Sequence, residues 1–355
     1  MIWPGRSAAA RGGITVAGIA RLCPVSLAGL LVLGACTGGG TPAETASALV
    51  SSAATPASPA APTQATGGID LSLLKGRIAF SAGPPHGEDV YVINADGTGR
   101  ARVTTDPAAD FDPTWSPDGT RIAYRHQPED ELSTDIYVIN ADGSAARNLT
   151  RSDGVADWGP AWSPGGRQIV WNSDRAAPGG LRGYLMAPDG SGVRPLGADV
   201  WVEYPAWSPD GTKLAFMGQT PEGSENYEIY VVNADGTGLR RLTRSPGPDG
   251  WPAWSPDRRQ ILFASVRDDC AYSHAAGCKT TGDIGPYHTL YVMHADGSHQ
   301  ARVSDVFGQI ADWAPDGRYI VFEGRDGLSI IRADGSDLTM LVTGVPASGF
   351  PDWTT

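Results

Sequence analysis

Histidine, cysteine, basic residues and long apolar runs are all in short supply. Four cysteines and six histidines are spread over 355 residues. Histidine is nearly missing from the segments that lead into the repeated tryptophans described below, which argues against chemistry needing a histidine base there. The apolar stretch VSLAGLLVLGA, residues 25–35, is too short to cross a bilayer as a mature helix, which takes about 20 residues. No G-x-S-x-G elbow occurs, which removes the usual α/β-hydrolase nucleophile. Twenty-seven basic residues face 39 acidic ones, a net charge of −12. Nucleic acid is therefore not an expected partner, because its phosphates would be repelled.

The start of the chain reads as an export signal. Arg6, Arg11 and Arg21 precede the apolar stretch, the pattern of a secretory leader. It ends in LGAC, residues 33–36, which resembles the lipobox of bacterial lipoproteins; in that family the cysteine, here Cys36, is diacylated and becomes the new N-terminus. Residues 1–36 are thus expected to be a lipoprotein signal peptide. Its loss takes three arginines and no acid, leaving the remainder still more acidic. Residues 37–75 begin with Ala, Pro, Ser, Thr and Gly and almost no charge, the composition of a disordered tether. The expected location is extracytoplasmic, lipid-anchored to a bacterial membrane. Of the other cysteines, Cys270 and Cys278 lie eight positions apart, a spacing that favours a disulfide in an exported chain. The alternative is a metal site with His274 between them.

What the chain has in abundance is repetition. The phrase W-S-P-D-G and its variants place tryptophans at 115, 162, 207, 254, 313 and 353, at spacings of 47, 45, 47, 59 and 40. Asp-Gly pairs recur out of phase at 96–97, 142–143, 189–190, 235–236, 296–297 and 334–335. Such a period means a repeat architecture of six units. Each unit reads as four short strands, a to d. Strand a carries the tryptophan, S-P-D-G makes a turn, strands b and c follow, and Asp-Gly folds a hairpin into a short, polar strand d. Strands b and c are apolar on both faces, as in Leu214–Met217 and Ile229–Val232, which requires a neighbour on either side. Gly76–Phe80 is a strand b without a preceding W-S-P, and Phe350–Trp353 is a strand a without a following strand b. Together they complete one blade. Residues 76–355 are therefore predicted to form an all-β, six-bladed β-propeller of four-stranded blades, closed by a C-terminal strand latch.

These units resemble the TolB-type propeller repeat, also called the PD40 or WD40-like repeat: P-x-W-S-P-D-G-x-x-I-A-F, then I-Y-V-x-N-A-D-G, then R-L-T. The resemblance covers about residues 76–353. It departs from TolB in having a lipobox and tether where that family carries an α/β domain, and from peptidase relatives in ending at Thr355 without a hydrolase domain. The resemblance implies a propeller mouth that grips partner proteins.

Geometry places the S-P-D-G turns and Asp-Gly hairpins on one face, called lower, and the b-to-c loops and d-to-a connections on the other, upper face. The d-to-a connections carry carboxylates beside aromatic rings: Phe111 and Asp112; Asp157 and Trp158; Trp201, Glu203 and Tyr204; Asp249 and Trp251; and Phe350. These are the candidate binding residues, suited to a basic or sugar-like ligand or to a cation. Many such residues serve only packing and turn capping. The aspartates of S-P-D-G and A-D-G are expected to be turn formers. Arg125, Arg175, Arg267 and Arg325, near the ends of b strands, are expected in interblade salt bridges. The insertion at 266–288 belongs to the upper face of the fifth blade.

The function expected is that of a monomeric envelope lipoprotein binding an envelope protein or peptide through its upper face, without catalytic residues or cofactor. Two alternatives stand beside it. One is a metal-dependent hydrolase or lyase with a divalent cation in the channel, held by oxygens from Asp112, Asp157, Glu203, Asp249 and Asp312. The other is a glycan or small-ligand receptor using Trp158, Trp201, Trp251 and Tyr204.

Overall fold

The computed structural model describes residues 68–128, 133–176, 180–198, 200–219, 226–269, 288–343 and 349–355. The leader, Cys36, most of the tether, and both Cys270 and Cys278 with His274 between them lie outside the described residues.

Six antiparallel sheets of four strands each form the propeller. Five are consecutive in sequence. The remaining one joins Asp352–Thr354 to Arg77–Ala82, with Trp353 opposite Ile78. The C-terminal strand is therefore strand a of blade one, and the ring closes by a latch as the split repeat requires. Among the described residues, the one helical element is a single 3₁₀ turn, Leu71–Leu73. Ile69 and Leu74 flank it and are buried with Trp353, so this end of the expected tether packs on blade one.

Apolar packing explains why the phrase is repeated. The buried side chains fall into six clusters, and each straddles the seam between two neighbouring blades. Each seam holds one of the six repeat tryptophans: Trp115, Trp162, Trp207, Trp254, Trp313 or Trp353. In the seam between blades one and two, Trp115, Ile122 and Tyr124 meet Ala79, Val90 and Val92. A blade has no core of its own. It is covered only by its neighbours, which is why strands b and c are apolar on both faces.

The turns are polar, local constructions. Asp118 Oδ1 accepts from Ser116 Oγ at 2.6 Å and from Thr120 N at 3.0 Å, and Gly119 supplies φ 66°. In the out-of-phase hairpin Asp96 Oδ1 accepts from Thr98 N at 2.9 Å and Gly97 sits at φ 85°. These hydrogen bonds hold Asp118 down at about 2. The aspartates of both phrases are turn formers. Outer strands d are two residues long in blades one to five, too short to offer an edge for pairing with another chain.

One expectation is corrected. Arg175 reaches Asp157 at 2.7 Å and Arg267 reaches Asp249 at 2.8 Å, while Arg125 lies 3.5 Å from Asp112. Each pair joins strands b and a of one blade. The bridges are within blades because the acid and the arginine lie close along one strand a–b pairing: Asp157 pairs with Ser173 and Asp249 with Ser265, each two residues before its arginine, and Phe111, next to Asp112, pairs with Arg125.

Candidate binding site at the channel mouth

The inner strands converge on a central channel, and their backbone is irregular at one level. In blades two to five, register shifts interrupt the pairing of strands a and b just before the tryptophan: between Phe111 and Thr114, Trp158 and Ala161, Glu203 and Ala206, and Gly250 and Ala253. These are β-bulges, which bend a strand and re-aim a side chain. The residue three before the tryptophan has positive φ in five blades: Asp112 at 52°, Gly159 at 60°, Tyr204 at 46°, Trp251 at 50° and Phe350 at 51°. Each is followed by proline, whose missing N–H suits a place where the ladder is broken. In blade six Ile310 and Ala311 replace the pattern. Four of the five residues are not glycine, and left-handed backbone is rare for such bulky groups. Strain of this kind is held where function uses the geometry.

The bulges aim these side chains inward. Asp112, Gly159, Tyr204, Trp251, Ile310 and Phe350 line a channel pocket of about 150 Å³. Tyr204 and Phe350 come from blades on opposite sides of the ring, and their rings stack with centroids 5.4 Å apart. Trp251 adjoins Tyr204 at 6.2 Å. His288 packs edge-on to Trp251 at 5.6 Å and carries the aromatic surface toward Phe307, 6.4 Å further out. The channel is thus stoppered by three rings at its mouth.

Polar groups at this level are incompletely satisfied. Asp112 Oδ2 accepts from Gly159 N at 3.3 Å. Asp112 Oδ1, Asn172 Nδ2 and Trp251 Nε1 are buried without a hydrogen-bond partner among the described residues. Burial raises the Asp112 carboxyl, opposed by the Arg125 guanidinium and the Gly159 N–H. The Tyr204 hydroxyl is pushed well above its usual range by burial, reinforced by the charge on Asp112.

Below the stopper lies a carboxyl pair. Asp312 Oδ2 accepts from Trp353 N at 2.8 Å and Asp352 Oδ2 from Trp115 N at 2.5 Å. Each thereby ties its strand a to the next blade. Burial, then the charge of Asp352, pushes Asp312 well above the carboxylate range; burial also raises Asp352. Sharing a proton relieves the repulsion.

The candidate residues thus divide. Asp112, Tyr204, Trp251 and Phe350 meet at the mouth, with Asp312 and Asp352 beneath. Phe111 is buried, with the Arg125 guanidinium 4.2 Å from its ring. Asp157 and Asp249 are held in ion pairs inside their blades, and Trp158 is buried opposite Asn172. Glu203 is buried and accepts from the Tyr227 hydroxyl at 2.7 Å. Trp201 lies half-buried outside the channel lining. Asp352 and His288 are not among the residues expected at the mouth. The signal available for Asp352 was its place one before a repeat tryptophan, shared with Asp312.

The fold and channel define a class: a latch-closed, six-bladed propeller with its side-chain variety concentrated at the mouth. Within that class the propeller is TolB-like. The family model described as TolB beta propeller domain matches residues 198–274. The chain is 31% identical to the Tol-Pal system protein TolB of Alcanivorax borkumensis over 119 residues, covering 33% of this chain and 24% of that one. It is also 31% identical to dipeptidyl-peptidase 5 of Porphyromonas endodontalis over 192 residues, covering 52% and 24%. The crystal structure of TolB from Acinetobacter baumannii superposes with a TM-score of 0.59 at 19% identity, over 80% of this chain and 67% of that one. The chain spans less than half the length of the curated relatives it matches.

Proposed function

We propose that this protein is an extracytoplasmic, lipid-anchored propeller that binds a segment of another envelope protein at its upper face, with the aromatic stopper as the docking point. The observation that carries this reading is the set of strained, inward-aimed side chains Tyr204, Trp251 and Phe350. Rigid aromatic anchors beside a carboxylate suit the apolar and cationic side chains of a peptide. The pocket, at about 150 Å³, is smaller than the roughly 300–1,000 Å³ of sites that enclose a small molecule. That size favours insertion of one side chain from a larger partner over enclosure of a sugar. Likeness to a protein named for the Tol-Pal system supports a protein partner. The acidic balance of the chain would speed encounter with a basic surface and make it sensitive to salt. No helix among the described residues is long and apolar enough to cross a membrane, and the anchor in this reading is the lipid on Cys36.

Two experiments test the reading. Crosslinking capture from envelopes, comparing the native protein with a Tyr204→Gly, Trp251→Gly double variant, should recover a protein with the native form alone. Equal capture by both would refute the docking point. Metabolic labelling with palmitate should mark the native chain and not Cys36→Ser; label retained in the variant would remove the anchor from the proposal.

A further inference from the structure

Blade two departs from its neighbours in one buried pair. Five residues before the repeat tryptophan, blades two, three and five carry Asp110, Asp157 and Asp249, all with fully buried side chains. In blades three and five the same arrangement holds that aspartate. Ser173 and Ser265, on strand b, each accept from the Nε of an arginine two residues on, at 2.9 and 2.8 Å. That arginine, Arg175 or Arg267, binds the aspartate. Blade two has His126 in the serine position and Pro128 in the arginine position. The permanent cation is gone.

What replaces it is a three-ligand cluster. His126 Nδ1 lies 2.9 Å from Asp110 Oδ1 and 4.0 Å from Asp106 Oδ1. The three donor atoms all fall within 4.8 Å of one another. Around a metal with bonds of about 2.1 Å, donor atoms stand roughly 3.0–3.4 Å apart, so small side-chain adjustments would bring all three onto one ion. Asp110 Oδ2 is buried with no hydrogen-bond partner among the described residues. Neither Asp106 nor Asp110 has a described ion pair to lysine or arginine. Two carboxylates therefore share one imidazole, where the sister blades neutralise a single carboxylate with a guanidinium. Asp106 and His126 also line a surface cleft with Pro107, Ala108, Pro128 and Tyr137, which gives an ion a way in. His126 is fixed from one side by the Tyr137 ring, 4.3 Å away.

We propose that Asp106, Asp110 and His126 form a divalent transition-metal site on the upper edge of blade two, distinct from the channel. One imidazole nitrogen with two carboxylate oxygens suits zinc, and three protein ligands leave a position open to water or to a partner's side chain. The ion takes the place of the arginine in neutralising the buried aspartate. This site does not depend on the reading of the channel mouth.

The test uses the full propeller without a histidine tag. Co²⁺ serves as a spectroscopic stand-in, followed by its visible absorption, and Zn²⁺ is followed by thermal shift. The native protein should bind one ion with both readouts positive. Asp106→Asn alters an exposed side chain and should fold normally, with affinity reduced on the order of tenfold or more. Tyr137→Phe changes no ligand and should bind as the native protein does. Absence of both signals in the native protein overturns the site, as does undiminished binding in Asp106→Asn.

Discussion

The two ends of strand a are built on opposite rules. At the lower end three blades repeat one Ser–Asp hydrogen bond in the turn, Asp118 with Ser116, Asp210 with Ser208 and Asp257 with Ser255, while blade three has Gly165 for the aspartate and blade six Ala314 for the serine. At the upper end, three residues before the tryptophan, the six blades present Asp, Gly, Tyr, Trp, Ile and Phe. Five of these share the same left-handed backbone. The conformation is constant while the side chain changes. Seams and turns must be alike for six blades to close into a ring, so they leave no freedom for chemistry. The bulge does the reverse: it spends backbone strain to point one side chain per blade at a common place.

Substitutions at the two ends should therefore separate stability from binding. The largest loss is expected in the seams. Trp115→Ala removes a buried indole between blades one and two, and should cost about 3–5 kcal/mol, read as a drop in denaturation midpoint. A change under about 1 kcal/mol would mean that the seams do not carry the ring.

Next in size is a pH effect from the upper level. Burial raises Glu203 and Glu323 from 4.5 to about 7. Between pH 4.5 and about 7 the folded protein holds protons that the unfolded chain has released. Stability should then fall as pH rises through that window and level off above it. Glu203→Gln should flatten the melting profile by up to about 2–3 kcal/mol across that range. A midpoint that climbs with pH there would contradict the assignment.

The lower turn should matter less. Asp118→Ala loses an exposed turn contact worth about 0.5 kcal/mol. Because its folded value is depressed to about 2, that contribution is present above the ordinary carboxylate range and is lost as pH falls toward 2. The smallest stability change is expected at the mouth. Tyr204→Gly relieves a positive φ that glycine adopts freely, which offsets the ring contacts it gives up. Its stability should stay within about 0.5 kcal/mol of native while partner capture falls.

The architecture was legible because six tryptophans and six Asp-Gly pairs mark the blade count, and the split first repeat marks the latch. The site was legible only as a neighbourhood. Phe111 and Asp112 are adjacent, as are Glu203 and Tyr204, and alternation along a strand puts neighbours on opposite faces. Which of each pair faces the channel depends on a bulge, whose mark in the sequence is only the proline that follows it in five blades. It sends Asp112, Tyr204 and Trp251 inward and leaves Asp157 and Asp249 paired within their blades. Counted from the tryptophan, the six inward positions fall at one offset, three residues before it. The His126 substitution in blade two shows only when sister blades are superposed.

The most direct test of the division between the two ends is site-specific photocrosslinking in intact cells. A photoreactive residue is placed at Trp251 in one strain and at Thr120, beside the lower turn, in another. A discrete protein adduct is expected from position 251 and none from position 120. Adducts from the lower turn, with the mouth silent, would contradict it and move the binding face to the other end of the ring.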